Sequence, residues 1–198
     1  MHTPKHLGID FGSKLAGTTA AAMVQDKALK VWQSHRGQDA DKWLLELITE
    51  LQPGEIFIDA PLTLPGIYTQ GVYTSDAEYF YRACDREVQA MSPMFIGGLT
   101  ARAIRLRATL AENGRAVLET YPSQLAKLIF PQHSGYKKGL TALSVYTETL
   151  QDLLPFPIAE APTNWHQFDS LLAWYSGYRH LQGQAQLYGD PREGRIIV

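Results

Sequence analysis

Leu7-Gly8-Ile9-Asp10-Phe11-Gly12-Ser13 is the stretch on which the reading of the chain turns. It has the composition of a short buried strand, with one carboxylate where a plain core strand would carry another aliphatic residue. A buried charge is costly unless something pairs with it. The rest of the sequence is therefore read for what converges on Asp10.

Working outward, residues 6–11 form the predicted first strand. Residues 16–24 are small and tolerant of β structure and predict a second strand. Gln25-Asp26-Lys27 is a polar turn, and Leu29, Val31 and Trp32 belong to a third strand. Joins this short make the three strands antiparallel neighbours. Trp43, Leu44, Leu47, Ile48 and Leu51 recur at three- and four-residue spacing, which predicts a helix over 40–52 closed by Pro53-Gly54. Glu55 to Pro61 then forms a fourth strand carrying Asp59. A strand, helix and strand in succession is the crossover of a parallel pair. Parallel pairing would set Asp10 and Asp59 side by side at one sheet edge.

Residues 61–98 carry the loop markers Pro61, Pro65, Gly66 and Gly71, and a helix is predicted over 76–91. Gly97-Gly98 is read as a break. The segment is expected to be an insertion that lies over the site as a lid. A helix over 99–113 follows, with Ala103, Leu106 and Leu110 inward, and Asn113-Gly114 stops it. Residues 115–122 form a fifth strand that contains Glu119. Helices are predicted over 123–130, 139–154 and 165–181, with a polar loop from Pro131 to Lys138. Leu140, Leu143, Val145, Tyr146 and Leu150 are the expected core of the second of these helices. Asp169 is placed in the first turn of the last. Residues 194–198 are left as a short closing strand.

The bulk numbers fit one domain. The chain has 198 residues, 45% hydrophobic and 19% charged, with a formal net charge of -2. A chain of this length can bury roughly 70% of its unfolded surface. The near-neutral balance argues against a dedicated high-affinity DNA binder, though local basic patches count for more than the sum. No apolar run approaches the ~20 residues that span a bilayer. Met1 to His6 lead directly into the first strand without the pattern of a signal peptide. With the single Cys84, no intrachain disulfide or cysteine metal cluster forms, and Cys84 itself is read as a buried small hydrophobe. A cytoplasmic protein without membrane association is expected, and self-association is left open.

Four acids carry the candidate chemistry: Asp10, Asp59, Glu119 and Asp169. The first three belong to predicted core strands, and the fourth follows His166 on the last helix. Packed carboxylates repel one another and desolvate badly. A hard divalent cation relieves that cost, and Mg²⁺ takes such oxygen ligands. Two ions about 4 Å apart are the usual apparatus of phosphoryl transfer. Each acid also has a plain structural use. Asp59 suits a turn cap at Ala60-Pro61, Glu119 suits a lysine or arginine partner, and Asp169 suits the helix dipole. Lys14, Arg82, Arg86, Arg102, Arg105, Lys137 and Lys138 are the candidate phosphate contacts. Arg82, Asp85 and Arg86 are equally suited to pairing among themselves.

The order of these motifs resembles the RNase H-like fold. His166-Gln167-Phe168-Asp169-Ser170-Leu171-Leu172-Ala173 resembles the last acidic motif of Holliday-junction resolvases, whose His-x-x-Asp-Ala-Leu helix supplies a metal ligand. The whole chain is similar to the family known as domain of unknown function 429, described as predicted nucleases of that fold. The resemblance is carried by Gly8-Ile9-Asp10, Ile58 to Pro61, Arg82 to Arg86, Glu119 to Pro122, His166 to Ala173 and Glu193-Gly194. It implies an α/β domain with a mixed five-stranded sheet in order 3-2-1-4-5, strand 2 antiparallel, and helices on both faces. It implies divalent-metal phosphodiester chemistry on nucleic acid, branched or structured, with Mg²⁺ or Mn²⁺ on Asp10, Asp59 and Asp169. Glu119 and His166 join them as candidate catalytic groups, with His166 assisting proton transfer or orienting a ligand.

Two other functions compete. Asp10-Phe11-Gly12-Ser13-Lys14 with Gly17 resembles the first phosphate loop of the actin and sugar-kinase superfamily, whose backbone amides cradle ATP phosphates. Those proteins normally carry two such domains. A non-catalytic binding protein of the same fold is the third reading, supported by the tyrosine-rich 61–98 segment.

Overall fold

The computed structural model describes residues 5–71, 73–132 and 134–198. The first four residues of the N-terminal lead, position 72 of the insertion and position 133 of the polar loop lie outside the described residues.

The central strand β1 (His6–Asp10) is buried along its whole length. It pairs antiparallel with β2 (Ala20–Gln25), which pairs antiparallel with β3 (Ala28–Gln33). Asp26 and Lys27 join β2 to β3 with φ of 51° and 65°, the left-handed pair that matches the twist of a two-residue hairpin. Helix α1 (Ala40–Leu51) crosses back to β4 (Glu55–Asp59). Asp39 accepts from the amides of Asp41 and Lys42 at its start, and Gln52 ends it in a left-handed conformation. β4 pairs parallel with β1, and β5 (Ala116–Glu119) pairs parallel with β4. The sheet order β3-β2-β1-β4-β5, with only β2 antiparallel to the rest, is the RNase H-like arrangement.

Between β4 and β5 lie α2 (Gly66–Gln70), α3 (Ala83–Val88) and α4 (Gly97–Glu112). After β5 come α5 (Pro122–Ile129), α6 (Gly139–Leu153) and α7 (Trp165–Leu181). A two-stranded ribbon of β6 (Leu187–Tyr188) and β7 (Ile196–Ile197) closes the chain. The alternation of side chains along each strand divides the core in two. Leu7, Ile9, Ile56 and Ile58 face α1 and α4, meeting Leu44, Ile48, Ala103 and Leu106. On the other face α7 lies against β1, with α5 and α6 packed around Phe168, Leu171, Leu172 and Trp174. Each such large apolar side chain contributes about 1.5–3 kcal/mol on burial.

Close packing of α7 depends on what β1 lacks. A Cβ on Gly8 would lie 2.1 Å from the Trp174 backbone nitrogen and 2.6 Å from the Ser170 carbonyl oxygen. His6, one turn of the pleat away, donates from Nε2 to the Trp174 carbonyl at 2.8 Å and stacks on the indole. Burial pushes its imidazole down to about 4, so it is neutral near pH 7. Helix and strand are thus locked in one register.

Several expectations are corrected. The second strand starts at Ala20 and not at residue 16. Gly17 turns at φ +73°, and the Thr18 and Thr19 hydroxyls instead tie down the Ser13 and Gly12 amides. The helix expected over 76–91 is confined to Ala83–Val88. Glu78 caps the Phe80 and Tyr81 amides in a separate turn, the Arg82–Asp85 capping box starts α3, and Gln89 ends it at φ +58°. Gly97 and Gly98 begin α4 and do not break it. Leu140 and Val145 are solvent-exposed, because α6 turns only its Leu143–Tyr146–Leu150 stripe inward. Asp169 falls in the second turn of α7. The ribbon strand β6 was not anticipated, since two residues carry no periodicity. Among the described residues, no helix is long and apolar enough to cross a membrane.

Gly8→Ala should destabilise the fold by about 3 kcal/mol or more, because the new methyl meets backbone that cannot step aside. Chemical denaturation measures this, and a loss below about 1 kcal/mol would contradict the stated packing of α7 on β1.

Candidate active site

Strand register alone brings two of the predicted acids together. Asp10 and Asp59 are direct partners across the parallel pair β1–β4 and therefore project to the same face of the sheet. α7 supplies the next two groups. Asn164 caps it by accepting from the His166 and Gln167 amides, which fixes His166 in the first turn. Asp169 follows at i+3 on the same helix face. His166 donates from Nδ1 to Asp10 Oδ2 at 2.7 Å. Asp169 is 1% exposed; its Oδ1 accepts from the Tyr136 hydroxyl at 2.5 Å and its Oδ2 from Lys137 Nζ at 2.7 Å.

The electrostatics follow from this crowding. Desolvation, then the charges of Asp10 and Asp169, lift Asp59 well above the ordinary carboxylate value. Desolvation lifts Asp169 to about 6 against the pull of Lys137. The hydrogen bond to Asp10 raises His166 above 6.5 despite partial burial. Burial opposes the Lys137 charge, but Asp169, with Asp59 and Asp10 behind it, leaves the ammonium more firmly protonated than usual. Burial and Asp169 likewise raise the Tyr136 phenol, which stays a hydrogen-bond donor.

Glu119 is not part of this group. It pairs in register with Ile58, so the alternation that sends Asp59 toward α7 sends Glu119 to the opposite face. There it meets Arg82, which is 1% exposed. Arg82 Nη1 and Nη2 donate to Glu119 Oε2 and Oε1 at 2.8 and 2.6 Å. Its Nε and Nη2 donate to Asp85 at 3.0 and 2.6 Å, and Nη1 also reaches Thr63. Glu119 Oε2 further accepts from the Leu62 amide at 2.9 Å. Arg82 therefore fastens the 61–98 segment to β5 and is withdrawn from the role of a phosphate contact. Cys84, beside it, is buried, and burial pushes its thiol up to about 12.

The other basic candidates divide by partner. Arg102 forks onto Asp41 and donates to the Gly12 carbonyl while its guanidinium lies over the Phe11 ring, so it holds the β1 loop to α4. Arg86 pairs with Glu78 and lies over Tyr81. Lys14 pairs with Asp39 at 3.2 Å. Arg105 is 72% exposed, with only a 3.6 Å approach to Asp41, and Lys138 is exposed before α6. Lys137 alone among them touches a predicted ligand.

A cavity of about 250 Å³ opens beside the acids; Asp10, Asp59, Thr120 and Tyr121 line it together with Met91 and Ile96 of the 61–98 segment, and the Arg82–Asp85–Glu119 network also borders it. Thr120 is 1% exposed, and its hydroxyl finds no hydrogen-bond partner among the described residues. Tyr136 and Thr120 are the groups that sequence reading missed. Tyr136 stands next to a singled-out lysine in a loop without periodicity, and Thr120 next to the more conspicuous Glu119. The Gly12 and Ser13 amides, which a phosphate loop would offer to a nucleotide, are already bonded to Thr19 and Thr18.

Among the described residues, no three of His, Cys, Asp and Glu form a ready-made metal cluster. A smaller donor set fits Mg²⁺ or Mn²⁺ by its chemistry. Asp10 Oδ1 and both Asp59 oxygens accept no hydrogen bond from the described residues, and Thr120, whose buried hydroxyl has no hydrogen-bond partner among the described residues, belongs to the same cavity wall. Mg²⁺ is commonly held by one or two carboxylates, with water completing its shell.

No family model matches the chain, so the expected membership of domain of unknown function 429 is not shown. No curated protein matches it either. Among solved structures, the crystal structure of the yeast mitochondrial Holliday junction resolvase Ydc2 aligns over 91% of this chain and 82% of its own, at 13% identity and a TM-score of 0.44. No residue role is transferred from it.

Because Asp10 raises His166, the protonated imidazole stabilises the fold fully below 6.5, and that contribution fades as pH rises through the higher folded value. Asp10→Asn should lower the His166 midpoint seen by NMR titration; an unchanged midpoint would show that Asp10 is not the cause. Arg82→Met should cost about 3–5 kcal/mol by leaving two carboxylates buried without their cation. Urea unfolding tests it, and a loss under about 1 kcal/mol would mean that the network is not the anchor of the 61–98 segment.

Proposed function

We propose that this protein is a nuclease-type enzyme that hydrolyses phosphodiester bonds in nucleic acid with Mg²⁺ or Mn²⁺. The observation that carries the reading is the in-register pair Asp10–Asp59, three of whose four carboxylate oxygens accept no hydrogen bond from the described residues, on the wall of a cavity. Asp10 and Asp59 would hold the ion. When bound, it would supply Lewis-acid neutralisation of charge on the phosphoryl oxygens.

The chain's own residues supply the rest. His166 orients Asp10 and holds a proton at Nδ1; with 43% of its side chain exposed, the ring is within reach of solvent and substrate. A histidine raised above its usual value is suited to give up a proton to a leaving oxygen near neutral pH. Lys137 and the exposed Arg105 and Lys138 offer positive charge for phosphates along the strand. Met91 and Ile96 place the 61–98 segment on the cavity wall, which suits a cover over bound substrate. Structured or branched nucleic acid is the substrate class.

The test is cleavage of a panel of single-stranded, duplex and branched DNA and RNA with Mg²⁺ or Mn²⁺. Removing an outer partner of a metal ligand already costs about 10–100-fold, so Asp10→Asn and Asp59→Asn should each lose more than about 100-fold. Cleavage that survives both substitutions at the wild-type rate would overturn the assignment.

A further inference from the structure

We infer that Lys137 takes the place of one of the two cations such an acidic site would otherwise gather, so that the site accepts a single divalent ion. The inference rests on the metal-dependent reading above and refines it. Asp169 has both carboxylate oxygens engaged, Oδ1 by the Tyr136 hydroxyl and Oδ2 by the Lys137 ammonium. Asp10 and Asp59 keep three oxygens that accept no hydrogen bond from the described residues. The acids thus divide into a pair still open to an ion and one already neutralised from within.

The placement of Lys137 is built and not incidental. Its backbone stands at φ +61°, a left-handed conformation that a residue with a Cβ adopts at a cost, in a turn closed by the Lys138 amide donating to the Gly135 carbonyl. Tyr136, beside it, is anchored edge-on to Trp165 of α7 and against Tyr146 of α6, and its ring lies 5.3 Å from the ammonium. The loop is therefore held to the same helix that carries Asp169.

Charge balance points the same way. Three carboxylates carry three negative charges; Lys137 offsets one and His166, when protonated, another, so a single divalent ion already brings the site to neutrality or one charge beyond it. A second divalent ion would turn the site strongly positive unless Lys137 withdrew. It would also have to compete with the ammonium at Oδ2 or the phenol at Oδ1 to reach an Asp169 oxygen.

The test counts Mn²⁺ per folded chain by titration calorimetry and by electron paramagnetic resonance, with no nucleic acid present. Wild type should bind one Mn²⁺. Lys137→Met, which keeps much of the length and loses the charge, should bind a second. Lys137→Arg, which keeps the charge, should bind one. Circular dichroism establishes that each variant is folded, and if Lys137→Met is not, Lys137→Gln replaces it. Two Mn²⁺ on wild type, or one on both wild type and the folded uncharged variant, would overturn the assignment of Lys137 while leaving the nuclease reading intact. No Mn²⁺ on wild type would overturn the ion site on which both depend.

Discussion

Two carboxylates held side by side by strand register repel each other, and the neighbourhood of Asp10 and Asp59 is organised around that repulsion. Neither can swing away, because each ends a strand whose backbone is hydrogen-bonded to the other. Crowding by Asp169 increases the cost, and it shows as the upward displacement of Asp59 and Asp169. Short of protonation, relief comes from positive charge and from hydrogen-bond donors such as the Tyr136 hydroxyl on Asp169. The protein provides part of it from His166 and Lys137 and leaves the remainder for something that binds.

The pleat of the sheet turns a second set of charges to the other face, where they pair with one another, although Glu119 still adds to the upward displacement of Asp59. Glu119 is one residue out of step with Asp59, so it emerges on the α1 and α4 side and is consumed by Arg82 and the Leu62 amide. A buried ion pair is weak evidence for stability, since desolvation offsets much of its attraction. Its value here is geometric. The Arg82 fork meets β5 and α3 at once, and Glu193 adds to it by accepting from the amides of Gly66 and Ala83 at the starts of α2 and α3. The segment between β4 and α4 is thereby held where Met91 and Ile96 can wall the cavity.

The strand order and the pairing of Asp10 with Asp59 were legible in the sequence because both follow from local signals. Short joins dictate antiparallel neighbours, and a helix between strands dictates a parallel crossover. The length of α7 was legible because its apolar positions repeat along it; the Asn164 cap that starts it emerges from the structure. What escaped depends on information that periodicity does not carry. A one-residue offset in β5 decides which face Glu119 takes, and no composition signal fixes that offset. Leu140 and Val145 look like core residues, yet one face of α6 remains in solvent. Arg82 reads as a solvent-facing base until the three oxygen partners that bury it are assembled from positions 63, 85 and 119. Tyr136 and Thr120 owe their place in the site to tertiary contact alone.

The two internal cations differ in a way that bears on how the site works. His166 is set in the first turn of a capped helix, and its bond to Asp10 is short and built on rigid backbone. It orients a carboxylate that stays where it is. Lys137 stands on a loop, at the end of a four-carbon stem, with 48% of its side chain exposed. An ammonium on such a stem is a point charge less rigidly placed than the imidazole, and it stands here against Asp169. Tyr136, half-buried against α6 and α7, keeps Asp169 supplied with one hydrogen bond whichever way the lysine turns. The site therefore pairs a fixed proton carrier on one acid with an exchangeable charge on another.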